Sequence, residues 1–329
     1  MDALSEILRV VSLKGAVFFS ARFTAPWRFE SPSAATLARA LGPGAGNLFL
    51  YHFVAEGECT VLADGVEPLR LKAGDVILLP QGVPHVMASS AARSAPTPVD
   101  MQAILRDRPR MLDYGGGGAA TRFVCGYLAY DPRLLRPILD ALPPALSVSL
   151  REGGESHWLE RSISAALEEA ATPKPGGEGV LAKLSEVMVV ETLRRHIGQI
   201  SAEQKSWLGG LRDATVGRCL ALMHEQPAHA WTVDALARGI GVSRSVLAER
   251  FLHYVGQPPM QYLNKWRMAL AANYLSSTSL SLMRIAAEVG YQTDAAFNRA
   301  FRREFGVPPA TWRRTQAEPA LPESPPAAH

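Results

Sequence analysis

A stretch of 28 residues occurs twice in this chain, 49–50 positions apart, and nothing else in the sequence constrains the fold as tightly. The first copy, LARGIGVSRSVLAERFLHYVGQPPMQYL, runs from Leu236 to Leu263, and the second, IAAEVGYQTDAAFNRAFRREFGVPPATW, from Ile285 to Trp312. Leu236-Ala237 and Gly241 match Ile285-Ala286 and Gly290 at an offset of 49; Leu247, Phe251, Gly256, Pro258-Pro259 and Tyr262 match Phe297, Phe301, Gly306, Pro308-Pro309 and Trp312 at 50. Each copy reads as a short helix, a glycine where a left-handed turn is required, and a second helix stopped by a glycine and a Pro-Pro pair. A helix-turn-helix used twice is the simplest unit with that pattern.

Helical periodicity then sorts the residues of each second helix. Leu247, Phe251 and Val255, and likewise Phe297, Phe301 and Phe305, recur at i, i+4 and i+8 and form a buried face. The opposite faces present Ser245, Ala248 and Glu249 in the first copy and Ala295, Asn298, Arg299 and Arg302 in the second. Between the copies, Pro259–Ser277 reads as a 19-residue helix, a rod of roughly 28 Å. Its length suits two readers placed on successive major-groove faces, ~34 Å apart. Charge agrees: residues 205–315 hold 14 Lys and Arg against 7 Asp and Glu, whereas the remainder holds 20 against 24. Such segregation is expected of a domain that meets a polyanion joined to one that does not.

With these features in place, residues 212–314 resemble the DNA-binding domain of the AraC family of bacterial transcription regulators, most specifically through IAAEVGYQTDAAFNRAFRREFGVPPATWRR. The resemblance implies that Ser245, Ala248 and Glu249 of the first reader face bases, with Ser243 beside them. Asp294, Ala295, Asn298 and Arg299 do so in the second. Arg299 is suited to guanine O6/N7, Asn298 to adenine N6/N7, Glu249 to cytosine N4 and Ala248 to a thymine methyl. Arg244, Arg250, Arg302, Arg303, Arg313 and Arg314 are assigned to phosphates, which supply affinity and salt dependence. It further implies double-stranded promoter DNA and RNA polymerase as partners, and activation rather than repression.

The first half has a different texture. Short β segments are read at Ala16–Ser20, Asn47–Ala55, Cys59–Ala63, Leu69–Leu71, Val76–Leu79 and Thr121–Leu128, with Gly57, Asp64-Gly65, Gly74-Asp75 and Pro80-Gln81-Gly82 as turns. Ser89–Pro98 and Gly115–Gly118 read as loops; the latter lacks the G-K-[ST] of a phosphate loop and is read as a flexible connection. The segment LKAGDVILLPQGVPH resembles the second cupin motif, G-D-x(4)-P-x-G-x-x-H, through Gly74, Asp75, Pro80, Gly82 and His85. A cupin-like β-barrel is the implied fold, serving as an effector domain. The H-x-H and glutamate ligands of a metal-binding cupin are missing from NLFLYHFVAEGE, so no metal or cofactor is expected. His52, His85 and Cys125 leave an irregular metal or redox site open beside the reading of a buried, inert thiol. A small molecule inside the barrel is the preferred effector, with His52, His85 and Cys125 as candidate contacts and Trp27, Phe53 and Tyr127 either lining it or serving as core.

At 329 residues the chain exceeds the size at which one core stops growing, so two domains are expected. No apolar run approaches a membrane span and the start is not a basic leader. Three separated cysteines, Cys59, Cys125 and Cys219, argue against a disulfide framework and for a reducing cytoplasm. Helical spacing at Arg133–Leu142, His157–Ala171 and Val180–Ile200, interrupted by Thr172–Gly179, suggests a connector; the apolar stripe of its last helix suits equally packing against its own domain and pairing subunits into a homodimer. The proline-rich end after Thr315 is expected to be disordered. The resulting reading is an α+β protein with a cupin-like barrel over 1–150, a helical connector over 151–205, an all-α double helix-turn-helix domain over 206–315 and a tail over 316–329. Its function is sequence-specific transcription regulation under effector control, without enzymatic activity; the alternative is a cupin-type metalloenzyme carrying a DNA-binding attachment.

Overall fold

The structure, a computed structural model, describes residues 2–11, 14–41, 47–89, 104, 111–151, 158–159, 161–163, 175–201 and 203–317. Ser89–Pro98 beyond its first residue, most of His157–Ala171, residues 172–174 and the chain beyond 317 lie outside them; the break read at Thr172–Gly179 ends earlier than expected, since the following helix begins at Gly177. Two compact units form: Ser12–Pro132 with Ile138–Ile200, and Met1–Val11 with Arg133–Pro137 and Ser201–His329. The architecture is α+β, with a sheet-rich unit and a helical unit.

In chain order the described elements are α1 (Ala3–Val10), β1 (Lys14–Thr24), β2 (Arg28–Ser31), α2 (Ala34–Leu41), β3 (Asn47–Glu56), β4 (Glu58–Ala63), β5 (Val66–Lys72), β6 (Asp75–Leu79), β7 (His85–Ala88), β8 (Met111–Gly115), β9 (Ala120–Tyr130), α3 (Pro132–Leu139), β10 (Leu146–Ser149) and α4 (Gly177–Gln199). The helices α5 (Trp207–Arg212), α6 (Ala214–Glu225), α7 (Val233–Ile240), α8 (Arg244–Val255), α9 (Pro259–Ser277), α10 (Leu282–Glu288), α11 (Asp294–Phe305) and α12 (Pro309–Ala317) follow.

The sheet unit pairs a six-stranded sheet, β10-β6-β3-β9-β1-β8, with a four-stranded one, β2-β7-β4-β5. Residues 48–54 of β3 are all buried because the strand is covered on both faces. One face turns to the interior between the sheets, filled by Phe23, Trp27, Phe29, Leu50, Phe123 and their neighbours. The other is covered by α4, where the Tyr51 hydroxyl meets Ser185 Oγ at 2.5 Å. All six expected strands form, in longer versions. Four more, β2, β7, β8 and β10, were not read from the sequence: each has only four or five residues, too few for alternation to register. The Gly115–Gly118 run is a fitted turn against Thr24–Pro26, since a Cβ on Gly115 would lie 1.9 Å from the Thr24 carbonyl oxygen and one on Gly118 2.6 Å from that of Ala25.

The helical unit begins with α1, an amphipathic helix capped by Asp2 on Ser5 N–H and burying Ala3, Leu4 and Ile7. It packs on α6. Both helix-turn-helix units form as read, α7–α8 and α10–α11, each second helix capped at its start by a hydroxyl that accepts a backbone N–H, Ser243 from Val246 and Thr293 from Ala296. Gly241, Gly256, Gly290 and Gly306 all take positive φ. Helix α9 spans the expected Pro259–Ser277.

The two turn glycines are not equivalent. Around Gly241 an added Cβ meets nothing within 4 Å, whereas at Gly290 it would lie 2.8 Å from Ala228 O and 3.0 Å from Ala228 Cα. Gly241→Ala should therefore cost only the left-handed backbone penalty, about 1–2 kcal/mol, and Gly290→Ala distinctly more. Denaturant unfolding of the full chain checks this; equal losses would show that the Ala228 loop yields freely.

Candidate functional site: two reading helices and a buried histidine chain

On α8, Ser243, Arg244, Ser245, Glu249 and Arg250 are exposed and Ala248 is half-buried. Several are already engaged. Ser243 spends its oxygen on the helix cap and lies 3.1 Å from Ser245 Oγ. Arg244 pairs loosely with Asp234 at 3.5 Å across two exposed side chains. Arg250 forks onto Asp213, whose carboxylate is buried and also caps α6 through Thr215 and Val216 N–H. Together with the guanidinium, those bonds hold the Asp213 carboxyl below its ordinary range against the opposing effect of burial.

The second reader is more open. Asp294, Ala295, Arg299, Arg302 and Arg303 are exposed on α11. Asn298 is half-buried and donates its side-chain N–H to Asp294 O at 2.9 Å. Among the described residues, neither Arg299 nor Arg302 has an ion-pair partner. Both guanidiniums are therefore exposed on the outward face of α11 without an internal counter-charge. Arg313 donates to Leu280 O at 2.6 Å.

The sequence did not reveal what holds these helices in place. Within the first reader's support, the Tyr262 hydroxyl accepts from Trp207 Nε1 at 2.9 Å and donates to His224 Nε2 at 2.7 Å. The His224 ring stacks on Trp266 at 4.2 Å. Arg267, on α9, donates to Pro227 O and His229 O at 2.7 Å each. The one available signal was a cation inside the apolar run of NKWRMALAA.

In the sheet unit, three of the effector candidates meet. His52 on β3 lies opposite Cys125 on β9 in the strand register, and His85 opens β7. The Cys125 Sγ to His52 Nδ1 distance is 2.7 Å, His52 Nε2 to His85 Nε2 is 2.6 Å, and His85 Nδ1 to Val83 O is 3.0 Å. A carbonyl only accepts, so His85 carries its proton on Nδ1 and offers Nε2 to His52. His52 then donates from Nε2 and accepts the Cys125 thiol on Nδ1. The chain is neutral throughout: burial drives the His52 and His85 pKa values down, the latter to about 4, and the Cys125 value up. His52 gives a different nitrogen to each neighbour, so the three stand in series and do not converge; among the described residues no set of three or more metal-capable side chains does. Trp27 packs edge-on to Phe23 at 5.2 Å, apart from this chain, with its indole N–H buried and unpartnered among the described residues. Tyr127 is half-buried opposite Leu50.

Neutral buried histidines set a pH dependence. Each of His52, His85 and His224, the last held down to about 3 by burial, stays unprotonated when folded but binds a proton once unfolded. Stability contributed this way is present above the unfolded value near 6.5 and is withdrawn as pH falls, at up to about 1.4 kcal/mol per unit for each group. Urea midpoints should fall steadily from pH 7 to pH 4.5, and His85→Asn should flatten that slope for the sheet unit. A wild-type midpoint independent of pH over this range would contradict the neutral-histidine assignment.

The comparisons with known proteins follow the same division. A sequence profile described as Cupin matches residues 2–198, and one described as Helix-turn-helix domain matches residues 236–315. An AraC-like transcription regulator of Streptomyces lividans is 30% identical across 97% of this chain and 100% of its own length. The RCS-specific HTH-type transcriptional activator RclR of Escherichia coli K12 is 28% identical across 95% of this chain and 97% of its own. A solved AraC-type regulator from Chromobacterium violaceum aligns at 28% identity over 32% of this chain and 94% of that one, with a TM-score of 0.30. No described helix is long and apolar enough to cross a membrane. With a cupin half, a helix-turn-helix half and a relationship running nearly end to end, the chain belongs to the AraC-like transcription regulators.

Proposed function

We propose that this regulator binds double-stranded promoter DNA through both reading helices and acts as an activator that contacts RNA polymerase in the cytoplasm. The observation that carries the DNA reading is the pair of capped helices α8 and α11, with Arg299 and Arg302 exposed and unpaired among the described residues. A guanidinium free of internal partners pays no cost of breaking an ion pair when it meets a base or phosphate. Activation is supported by the name of the Escherichia coli relative.

The reading extends to a small-molecule effector held within the sheet unit, supported by the Trp27 indole N–H, which is buried and without a partner among the described residues; the donors of Cys125, His52 and His85 are already given to His52, His85 and Val83 O. Effector binding shifts the regulator between states only through a difference in affinity for them. The outward side of α4, with Val180 and Val187 exposed, supports a second copy of this chain as its cover. The enzyme reading is weakened by the serial histidine arrangement, which does not assemble a ligand set.

Selection of binding sites from random duplex DNA, followed by titration of the selected site at several salt concentrations, tests the proposal. A salt-dependent site with two read segments about one helical turn apart is expected; equal binding to all duplexes would overturn it. On that site, Arg299→Ala should cost about 1–3 kcal/mol and relax preference at one base pair, whereas equal losses on every duplex would make Arg299 a phosphate contact. Arg302→Ala should weaken all duplexes alike and lower the salt slope by about one; an unchanged slope would remove it from the phosphate set.

A further inference from the structure

Arg267 sits midway along α9 and is only 9% exposed. Its Nε–H reaches Pro227 O and its Nη2–H reaches His229 O, each at 2.7 Å. Those carbonyls belong to the loop between α6 and α7, the approach to the first helix-turn-helix. From the other side comes the turn of the second unit. Gly290 approaches so closely that a Cβ there would lie 2.8 Å from Ala228 O and 3.0 Å from Arg267 Nη2. The loop at 227–229 is thus held between the long helix and the second unit's turn.

A cation buried in an apolar helix is costly, and burial depresses the Arg267 pKa accordingly. Among the described residues its donors go to carbonyls and no carboxylate neutralises it. A packed leucine or methionine would remove the buried charge but leave Pro227 O and His229 O without these donors. What only a guanidinium supplies is a rigid fork that reaches two carbonyls two residues apart; an ammonium acts as a single point. That geometry fixes a distance and an angle.

We infer that Arg267 is a positioning residue: with Gly290 it locks the two helix-turn-helix units into one body, so that the spacing of α8 and α11 sets the permitted spacing of the two segments read on DNA. The inference rests on both helices reading DNA, as proposed above. A helix joined to its second unit at one end only would bend and twist; a second contact on the far side of the loop removes that freedom. A one-base-pair change moves a DNA segment by ~3.4 Å and rotates it by about 35°, which a locked pair of readers does not follow.

The test uses the full chain and the selected two-segment duplex, together with duplexes whose intervening spacer is one base pair longer or shorter. Wild type should lose about tenfold or more in affinity on either altered spacer. Arg267→Met should bind the original spacer with little loss and show a much smaller spacing penalty, about threefold or less. Arg267→Lys should fall between, and Gly290→Ala, which pushes on the loop from the opposite side, should relax spacing in the same direction. If Arg267→Met melts below the assay temperature, Arg267→Lys, which keeps a donor for the loop carbonyls, gives the reading on folded protein. A variant series that keeps the full wild-type penalty on a two-segment site overturns the inference and leaves the two-reader function standing. An equal loss on every spacer, with a lowered melting temperature, makes Arg267 merely structural and also overturns it. A selected site with only one read segment overturns the two-reader function and takes the inference with it.

Discussion

Burial of α9 is the constraint on which the DNA-binding half depends. Of its 19 residues, 11 are buried, so it is a shared core element and not an exposed rod. It contributes Tyr262 and Trp266 to the first unit and packs against α10, α11 and α12 of the second. A helix apolar on most of its circumference is stable only when surrounded, and two small units too short to bury their own faces surround it. The orientation of each reading helix is therefore a consequence of packing against one common body.

The sheet unit solves a different problem. Its interior is packed with aromatic and aliphatic side chains, yet it admits His52, His85 and the Cys125 thiol in one bonded row. They are tolerated because each donor finds an acceptor in sequence, ending on the Val83 carbonyl, and because none carries charge. The chain links β9 and β3 of one sheet to β7 of the other, so a polar thread crosses an apolar interior and ties the two sheets in one arrangement. The cupin-like motif places His85, but its partners are a thiol and a histidine in line where a metal-binding relative of that fold would converge its ligands.

Much of this was legible beforehand where a signal repeats or has length. The duplicated segment located four helices and their turns, because a glycine with positive φ and a Pro-Pro stop have few other uses. The long helix was legible from 19 residues bounded by proline and a Ser-Ser-Thr run. Strands β2, β7, β8 and β10 were not, since four or five residues carry no period. Helix α1 was passed over even though Asp2 caps it, because eight residues at a chain start read equally well as a frayed segment. In the site, Arg299 and Arg302 stand where periodicity put them. Arg250 and Arg313, assigned to phosphates by the resemblance, instead donate to Asp213 and Leu280 O, residues 37 and 33 positions away.

The sequence by itself determined that two helix-turn-helix units exist, which of their faces are apolar, and that a β-rich half accompanies them, because periodicity, turn chemistry and charge segregation are local and need no partner to be read. Only the tertiary structure decided which cations remain free, which nitrogen of His52 faces Cys125, and that Arg267 and Gly290 clasp the loop at Ala228. Those outcomes depend on residues tens of positions apart arriving within 3 Å, and no spacing rule along the chain encodes a distance of that kind.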